Sequence, residues 1–357
     1  MDTTTAKRDF LFDNYKAVLI VLVIMGHFTD LNYGNNAFLY NLKWLISSFH
    51  MPAFIYISGY FSKRQHSFTE LIQKLLIPYL VYECVYYALY TFILHRPTGL
   101  YLLYPKFSLW YILALFAWRL ATPYFKKLPG HMILAVAAGL LIGLSGMKDN
   151  FLSIPRILVF YPYFLAGYHM NREFFTRMRT RRIRILSAAG LIFAAVFLVA
   201  DPIHKGYDPK ICYGRYNYHY LGQAPLEGML VRLICYGAGF ALTFLIAFII
   251  TEKHTFFSYL GSRTMPIYIF HGLVYSCFKY GSHILQNINT IPETILLLAF
   301  CTSLAFIGSS DILVRITDRI SHLIPPSGNR PSFGKSYREN KNVSQDHRLS
   351  RWLALTL

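Results

Sequence analysis

Charged side chains are scarce in this chain. Asp, Glu, Lys and Arg make up 15% of its 357 residues, against roughly 25% in an ordinary soluble protein. Hydrophobic residues make up 55%, and apolar runs long enough to cross a bilayer, about 17 to 25 residues, recur along the chain. No polar stretch is long enough to bury a core of its own. The composition therefore predicts an all-α, polytopic integral membrane protein without a separate soluble enzyme domain.

Paired cysteines and a cleavable signal are also missing. The cysteines show no CxxC and no paired spacing, so we expect neither a disulfide framework nor a metal site. No small-residue cleavage site follows the first apolar run, and we expect this run to stay in the protein as a membrane anchor. No repeat of fixed period is visible.

The charge that is present is mostly positive. Lys and Arg number 35 and Asp and Glu 17, which gives a formal net charge of +18. A nucleic-acid binder collects such an excess on one soluble face, whereas here the bases lie between apolar runs, as in cytoplasmic loops of membrane proteins. We therefore expect a lipid bilayer, and no nucleic acid, as partner.

The apolar runs predict about ten transmembrane helices. They lie at roughly 15–31, 38–61, 71–94, 107–121, 131–147, 154–170, 183–200, 229–250, 266–285 and 294–314. The N-terminus and the even-numbered connections are rich in Lys and Arg, and the odd-numbered connections are poorer. The positive-inside rule then places both termini in the cytoplasm of a cell membrane, which we take to be a bacterial inner membrane. Residues 1–320 form the predicted membrane domain, and residues 321–357 form a basic tail that we predict to be disordered.

A histidine interrupts the first apolar run. If the first helix enters the membrane from the cytoplasm near Lys16, His27 lies eleven residues further on, about 16 Å along the helix axis. His50 lies eleven residues before the expected end of the second helix at Phe61, which gives the same distance. Both imidazoles are thus predicted at equal depth, near the middle of a hydrocarbon core of about 30 Å.

The two histidines allow two interpretations. Each imidazole can be a packing residue that hydrogen-bonds to a neighbouring helix. Ionisable groups inside a membrane are costly, however, and typically mark a site or pathway. Because imidazole is suited to removing a proton near neutral pH, the pair can activate a hydroxyl for acyl transfer. We predict His27 and His50 as catalytic residues.

Further charged residues accompany the pair. Candidates for holding a nucleotide phosphate at the cytoplasmic mouth are Lys16, Lys63 and Arg64, although each can instead anchor a helix at the membrane edge. Asp13 at the same mouth and Arg156 at the start of the sixth span are, with Glu83, further candidates for substrate contacts. Glu83 within the third span either orients a histidine or pairs with a neighbouring base.

A tyrosine-rich loop, residues 201–228, is the longest connection predicted outside the cytoplasm. Tyr216, Tyr218 and Tyr220 occupy alternate positions and Tyr213 precedes them, so an extended segment would present these tyrosines on one face or at its edge. Aromatic faces stack on sugar rings, and Arg215 can bond sugar hydroxyls. We predict acceptor contacts from Tyr213, Arg215 and Tyr218, while an interfacial aromatic belt is the alternative.

Several motifs resemble the membrane-bound acyltransferase-three family, especially its fucose 4-O-acetylase-like branch. In chain order they are FDNYKAVLIVLVIMGH at 12–27, SFHMPAFIYISGYFSKR at 48–64, LLIPYL at 75–80, LWYILALFAWRL at 109–120, RILVFYPYFLAGY at 156–168 and LGSRTMPIYIFHGLVY at 260–275. Each piece is loose, but the ordered set is specific and covers roughly residues 9 to 320.

The resemblance implies a ten-helix enzyme that takes an acyl group, usually acetyl, from cytoplasmic acetyl-CoA or another acyl-CoA. The acceptor would be a hydroxyl of an extracytoplasmic saccharide, such as a surface polysaccharide, and no metal is implied. The family histidine corresponds to His27 and its basic partner to Lys16, while His50 belongs to the second element. Lys16 stands where many members have Arg, and lysine loses the bidentate phosphate contact. His271 matches a position usually seen in the family, for which we expect a structural role.

Two rival functions stay open at this point. A secondary transporter that exports saccharides or lipid-linked intermediates would also have many spans and buried polar residues, but it would show two related halves and release no CoA. A sensor or scaffold would use neither histidine in chemistry. Within the acyltransferase interpretation, direct transfer and a covalent acyl-histidine relay are both open, and the oligomeric state is unknown.

Overall fold

The computed structural model describes residues 8–32, 34, 36–147, 151–200 and 206–323, and this part of the chain contains helices and loops but no strand. The predicted all-α fold is confirmed. The helices are, in chain order, α1 Phe10–Thr29, α2 Ala37–Phe61, α3 Phe68–Ile93, α4 Trp110–Phe125, α5 His131–Leu141, α6 Ile154–His169, α7 Arg172–Met178, α8 Arg181–Ala200, α9 Pro225–Ile249, α10 Ser258–Gly261, α11 Thr264–Gly281, α12 Ile291–Gly308 and α13 Asp311–Ser321. The predicted tail lies outside the described residues from residue 324 onward.

Each predicted span coincides with one of these helices, and α7, α10 and α13 are additional short helices in or after the connections. By length and composition, 5 helical segments of the described chain can cross a membrane, namely α1, α3, α9, α12 and Phe151–His169, which comprises α6 and the turn before it. The helix α2 is 25 residues long but carries Lys43, Ser47, Ser48 and His50 in its interior. The number of membrane crossings and the location of the termini stay predictions.

The core of the bundle is built around α1. This helix contacts α2, α10, α11 and α12, and Leu19, Ile20 and Ile24 on it are fully buried. Its first turn is fixed by Asp9, whose side chain accepts a hydrogen bond from the Leu11 amide. The start of α1 is therefore held at a fixed position at one end of the bundle.

Two glycines bring α2 and α6 into backbone contact. A Cβ atom on Gly167 would lie 1.8 Å from the Tyr56 carbonyl oxygen, and one on Gly59 would lie 2.0 Å from the Phe164 carbonyl oxygen. Small residues at a helix interface permit this close approach inside a membrane. The contact fixes the position of α2, which carries His50, relative to α6, which carries Arg156.

The end of the bundle where α1 begins is called the N-terminal end here. Arg172 forms an ion pair with Asp9 at 2.8 Å, and Arg8 donates to the Ser258 carbonyl oxygen at 3.3 Å. These bonds join the residues before α1 to the connections that follow α6 and α9. The basic connections predicted to be cytoplasmic thus meet at one end.

The opposite end, where α1 stops, is called the cavity end. Tyr213 donates to Asp30 at 3.0 Å, and the Leu152 amide donates to the Leu103 carbonyl oxygen at 2.7 Å. These bonds join the connections after α1, α3, α5 and α8. The two ends agree with the predicted alternation of the connections, while the compartment that each end faces stays a prediction.

Candidate active site

A cavity of about 620 Å³ opens at the cavity end. Its volume lies within the range of roughly 300 to 1,000 Å³ that is usual for small-molecule sites. The wall is formed by α1, α2, α3, α4, α6 and α11 together with the loops before α4 and before α9. His27 and His50 both line it, and we call it the histidine cavity.

His27 lies in the last turn of α1 and is held among aromatic rings. Its ring stacks on that of His271, with 5.4 Å between the centroids, and lies 4.7 Å from the ring of Phe107 and 5.8 Å from that of Tyr275. His271 itself is fully buried, and its Nδ1 atom contacts the Ile267 carbonyl oxygen at 3.1 Å. The stack restricts the orientation of the His27 ring while one side borders the cavity.

Asp30 follows His27 by one helical turn. The distance from His27 Nδ1 to Asp30 Oδ2 is 4.0 Å. The same carboxylate forms an ion pair with Lys43 at 2.5 Å and accepts from Tyr213 at 3.0 Å. A carboxylate on the Nδ1 side favours the tautomer with its proton on Nδ1, which leaves Nε2 as the accepting atom. The sequence analysis missed Asp30, although its spacing of three residues from His27 places both on one helix face.

His50 is oriented by its own helix. Its Nδ1 atom lies 2.5 Å from the Ile46 carbonyl oxygen. Because a carbonyl oxygen can only accept, this contact requires the proton on Nδ1, and Nε2 of the neutral ring is again an acceptor. Both histidines can thus take a proton or attack an electrophile through Nε2.

The two histidines are offset along the axis of the bundle. Ile46 of α2 packs on Gly26 of α1, where an added Cβ atom would lie 3.0 Å from the Ile46 side chain, and Lys43 donates to the Gly26 carbonyl oxygen. His50 lies four residues beyond Ile46, so it is about one helical turn, roughly 6 Å, deeper in the bundle than His27. The depth of each imidazole within a membrane stays a prediction.

A small cavity of about 20 Å³ lies deeper in the bundle than the histidine cavity. Met51, the neighbour of His50, lines both cavities, and Val23 and Phe54 line the small one. Its volume is too small for an acyl-pantetheine arm. Such an arm would have to displace the side chains that line this small cavity.

Basic and aromatic residues form much of the cavity wall. The basic residues are Lys43, Lys106, Arg156, Lys210, Arg215 and Lys279. The sequence analysis selected Arg156 and Arg215 among them but missed the four lysines, which lie on separate segments. The guanidinium of Arg156 lies over the Trp110 ring at 4.8 Å.

Glu83 does not contact either histidine. It is fully buried and accepts from the backbone amide of Lys106 at 2.7 Å and from its Nζ atom at 3.4 Å. Of the two roles considered for this residue, the geometry shows pairing with a neighbouring base. Glu83 thereby anchors the loop that presents Lys106 to the cavity.

The tyrosine-rich loop is not extended. Residues Pro209–Tyr213 form a 3-10 turn, and irregular turns follow. Tyr213, Arg215 and Tyr216 line the histidine cavity. Tyr218 points into the bundle, where its hydroxyl donates to the Leu140 carbonyl oxygen at 2.7 Å. The prediction of one tyrosine face is wrong because this hydrogen bond turns Tyr218 away from its neighbours.

The candidate donor-binding residues lie at the N-terminal end. Lys16 is 1% exposed and forms an ion pair with Asp13 at 3.2 Å. Asp13 also pairs with Arg8 at 2.5 Å. Burial and this pairing make Lys16 and Asp13 part of the helix packing in the described conformation.

Lys63 and Arg64, by contrast, are exposed. Lys63 donates to the Met170 carbonyl oxygen, and partial burial of its ammonium group lowers the pKa of Lys63. The structure does not bring Lys16, Lys63 or Arg64 together with the histidines. The predicted donor-binding residues lie at the N-terminal end and the two histidines lie in the histidine cavity, so α1 and α2 carry the two groups at different positions along their length.

Comparison with known proteins decides the family. A family model described as an acyltransferase domain, of the acyltransferase-three type, matches residues 11–310. The chain belongs to the acyltransferase-three family. This membership makes it an acyltransferase of a membrane-bound family, and the resemblance seen in the sequence is confirmed at that level. The fucose 4-O-acetylase-like branch stays a prediction. No curated protein and no solved structure matches the chain.

Proposed function

We propose that this acyltransferase moves an acyl group, acetyl by family resemblance, from a cytoplasmic acyl-CoA to a hydroxyl of an extracytoplasmic saccharide. The observation that carries the proposal is that His27 and His50 line one cavity of about 620 Å³, each with Nε2 available. The aromatic wall suits sugar rings, whose apolar faces stack on aromatic side chains.

The donor approaches from the N-terminal end in this proposal. Lys63 and Arg64 are exposed cations there and suit the phosphates of CoA. Lys16 is already paired with Asp13. Its positive charge adds to the electrostatic potential at the start of α1. The acyl-pantetheine arm reaches His50 after the side chains around Met51 move, because the cavity there holds only about 20 Å³.

The offset of the histidines gives each a separate step. His50 Nε2 attacks the thioester carbon, the C–S bond breaks, and CoA leaves as a thiolate that takes a proton from water. The saccharide hydroxyl then attacks the acyl group on His50 while His27 Nε2 removes the hydroxyl proton. The new C–O bond forms as the C–N bond to His50 breaks. Asp30 stabilises the resulting His27 imidazolium, which then returns its proton to water and offsets the proton taken up by the CoA thiolate.

An assay in membrane vesicles tests the proposal. Wild-type protein is expected to release free CoA and to form acylated saccharide, and His27→Ala and His50→Ala are expected to lower product formation by about a thousandfold or more. The matched control is His283→Ala, because His283 is exposed at the cavity end but does not line the cavity. Near-native product formation by folded His27→Ala and His50→Ala variants would refute the mechanism. Saccharide export without CoA release would support a transporter instead.

A further inference from the structure

Two cysteines meet at the cavity end. Cys212 lies in the turn Pro209–Tyr213 of the tyrosine-rich loop, and Cys235 lies in α9, 23 residues later in the chain. Their thiols are hydrogen-bonded to each other, and both residues line a second small cavity of about 20 Å³ together with Tyr163. The spacing in the sequence gave no reason to pair them, because the contact forms only when the turn packs against α9.

The backbone on both sides of this contact is packed. The turn contacts α9, and the Tyr163 hydroxyl donates to the Cys235 carbonyl oxygen at 3.2 Å. Gly214, which follows the turn, has a φ of 62°, and a Cβ atom on it would lie 3.0 Å from the side chains of Val159 and Phe160 on α6. Two thiols that touch on a packed backbone are placed for the formation of an S–S bond, whose geometry tolerates little backbone movement.

The pair is also reachable from the cavity end. Cys212 lines the histidine cavity as well as the small one, and both cysteines are half-buried. The cavity end is predicted to lie outside the cytoplasm, where disulfides form and persist, whereas thiols in the cytoplasm are kept reduced. The position of the pair therefore suits oxidation through Cys212.

We propose that Cys212 and Cys235 form a disulfide that fastens the tyrosine-rich loop to α9 beside the histidine cavity. The oxidant is a dithiol carrier in its disulfide form. The Cys212 thiolate attacks the carrier disulfide, and one carrier sulfur leaves as a thiolate. The Cys235 thiolate then attacks the Cys212 sulfur, and the second carrier sulfur leaves. The two protons released by the cysteines end on the carrier, which is reduced to a dithiol.

The disulfide would support the site through the residue next to it. Tyr213 follows Cys212 and donates to Asp30 at 3.0 Å, and Asp30 lies beside His27. A cross-link also limits the freedom of the unfolded chain between the two cysteines, which stabilises the folded protein. The inference depends on the predicted location of the cavity end and not on the proposed reaction.

Mass spectrometry of the full-length protein tests the proposal without any turnover. Membranes are denatured in N-ethylmaleimide, and the protein is digested in the absence of reductant. We expect the peptides of Cys212 and Cys235 to be joined and to separate on reduction, while the exposed Cys84 and Cys277 carry the maleimide. Maleimide on both Cys212 and Cys235 before reduction would overturn the proposal, whether or not the protein transfers acyl groups.

Thermal unfolding tests what the bond does. Dithiothreitol is expected to lower the unfolding midpoint of purified wild-type protein by about 5 °C. Cys212→Ser with Cys235→Ser is expected to unfold at the lower midpoint with or without reductant, and the control, Cys84→Ser with Cys277→Ser, is expected to keep the difference. The wild-type comparison decides even where the first double variant fails to fold. An identical midpoint in oxidised and fully reduced wild-type protein would show that no disulfide fastens the loop.

Discussion

Nδ1 of His27 lies 4.0 Å from Oδ2 of Asp30, so the carboxylate is on the side of the imidazole ring away from Nε2, the nitrogen that accepts the proton in the proposed mechanism. Lys43 and Tyr213 hold the same carboxylate in place. The distance is longer than a hydrogen bond, but catalytic contacts often shorten when the ligand binds. Asp30 thus links the chemistry at His27 to the loop that covers the cavity.

The first prediction concerns Asp30→Asn. The amide keeps the size of the side chain but removes the charge that stabilises the His27 imidazolium in the proposed mechanism, so kcat is expected to fall by about a hundredfold. The KM for acyl-CoA is expected to stay within about twofold, since the proposed donor site lies at the other end of the bundle. Steady-state assays with each substrate varied in turn measure both constants.

The control for this variant is Asp311→Asn, which removes a carboxylate paired with Arg263 at 2.5 Å at the N-terminal end. It is expected to keep wild-type kcat. Thermal unfolding of both variants must accompany the assay, because Asp30→Asn also leaves Lys43, which is 4% exposed, without its charged partner. A folded Asp30→Asn protein with wild-type kcat would exclude a role for this carboxylate in the reaction.

The second prediction separates the two histidines. In His27→Ala, the first step at His50 is intact and the second lacks its base, so acylated enzyme accumulates and a burst of about one CoA per enzyme precedes a slow steady rate. His50→Ala is expected to show neither burst nor acylation. Rapid acid quenching followed by peptide mass spectrometry locates the acyl group.

Direct transfer gives a different pattern. If the hydroxyl attacks the thioester without an acyl-histidine, both variants lose CoA release and product formation together, and no peptide carries the acyl group. Finding His50 unmodified in quenched His27→Ala, under conditions in which wild-type enzyme forms product, would therefore remove the relay from the mechanism.

The third prediction concerns the donor end. Removing both exposed cations, in Lys63→Gln with Arg64→Gln, is expected to raise the KM for acyl-CoA by about tenfold or more and to leave the KM for the saccharide unchanged. The effect is expected to shrink at high salt, because exposed charges are screened. Arg177→Gln, an exposed arginine of α7 at the same end, serves as the control for loss of surface charge. An unchanged KM for acyl-CoA in the double variant would place donor binding elsewhere.

The helices were predictable from the sequence because long apolar runs are local signals. The sixth span was predicted at 154–170 and is observed at Ile154–His169. That His27 and His50 share a cavity also followed from the antiparallel arrangement of two consecutive helices. The offset between them did not, because it depends on where α1 ends and how Ile46 packs on Gly26.

The cavity wall was only partly predictable, because its residues come together through long-range contacts. Tyr218 points inward because its hydroxyl meets the Leu140 carbonyl and its ring packs on Arg232. Lys106 reaches the cavity because Glu83, 23 residues earlier, binds its backbone amide. The sequence pattern of a loop carries no sign of such partners.

The last prediction concerns the contact between α2 and α6, which sets His50 relative to the cavity wall. Gly167→Ala would place Cβ 1.8 Å from the Tyr56 carbonyl oxygen, and because that atom is backbone, no side-chain rotation relieves the clash. We expect a loss of about 3 kcal/mol or more of stability, seen as little folded protein in detergent extracts and a lower unfolding midpoint. Gly237→Ala is the matched control, since its Cβ meets nothing within 4 Å, and alanine favours a helix over glycine by about 1 kcal/mol. Equal stability of the two variants would mean that α2 and α6 are not in backbone contact. The placement of His50 in the cavity, which depends on that contact, would then be wrong as well.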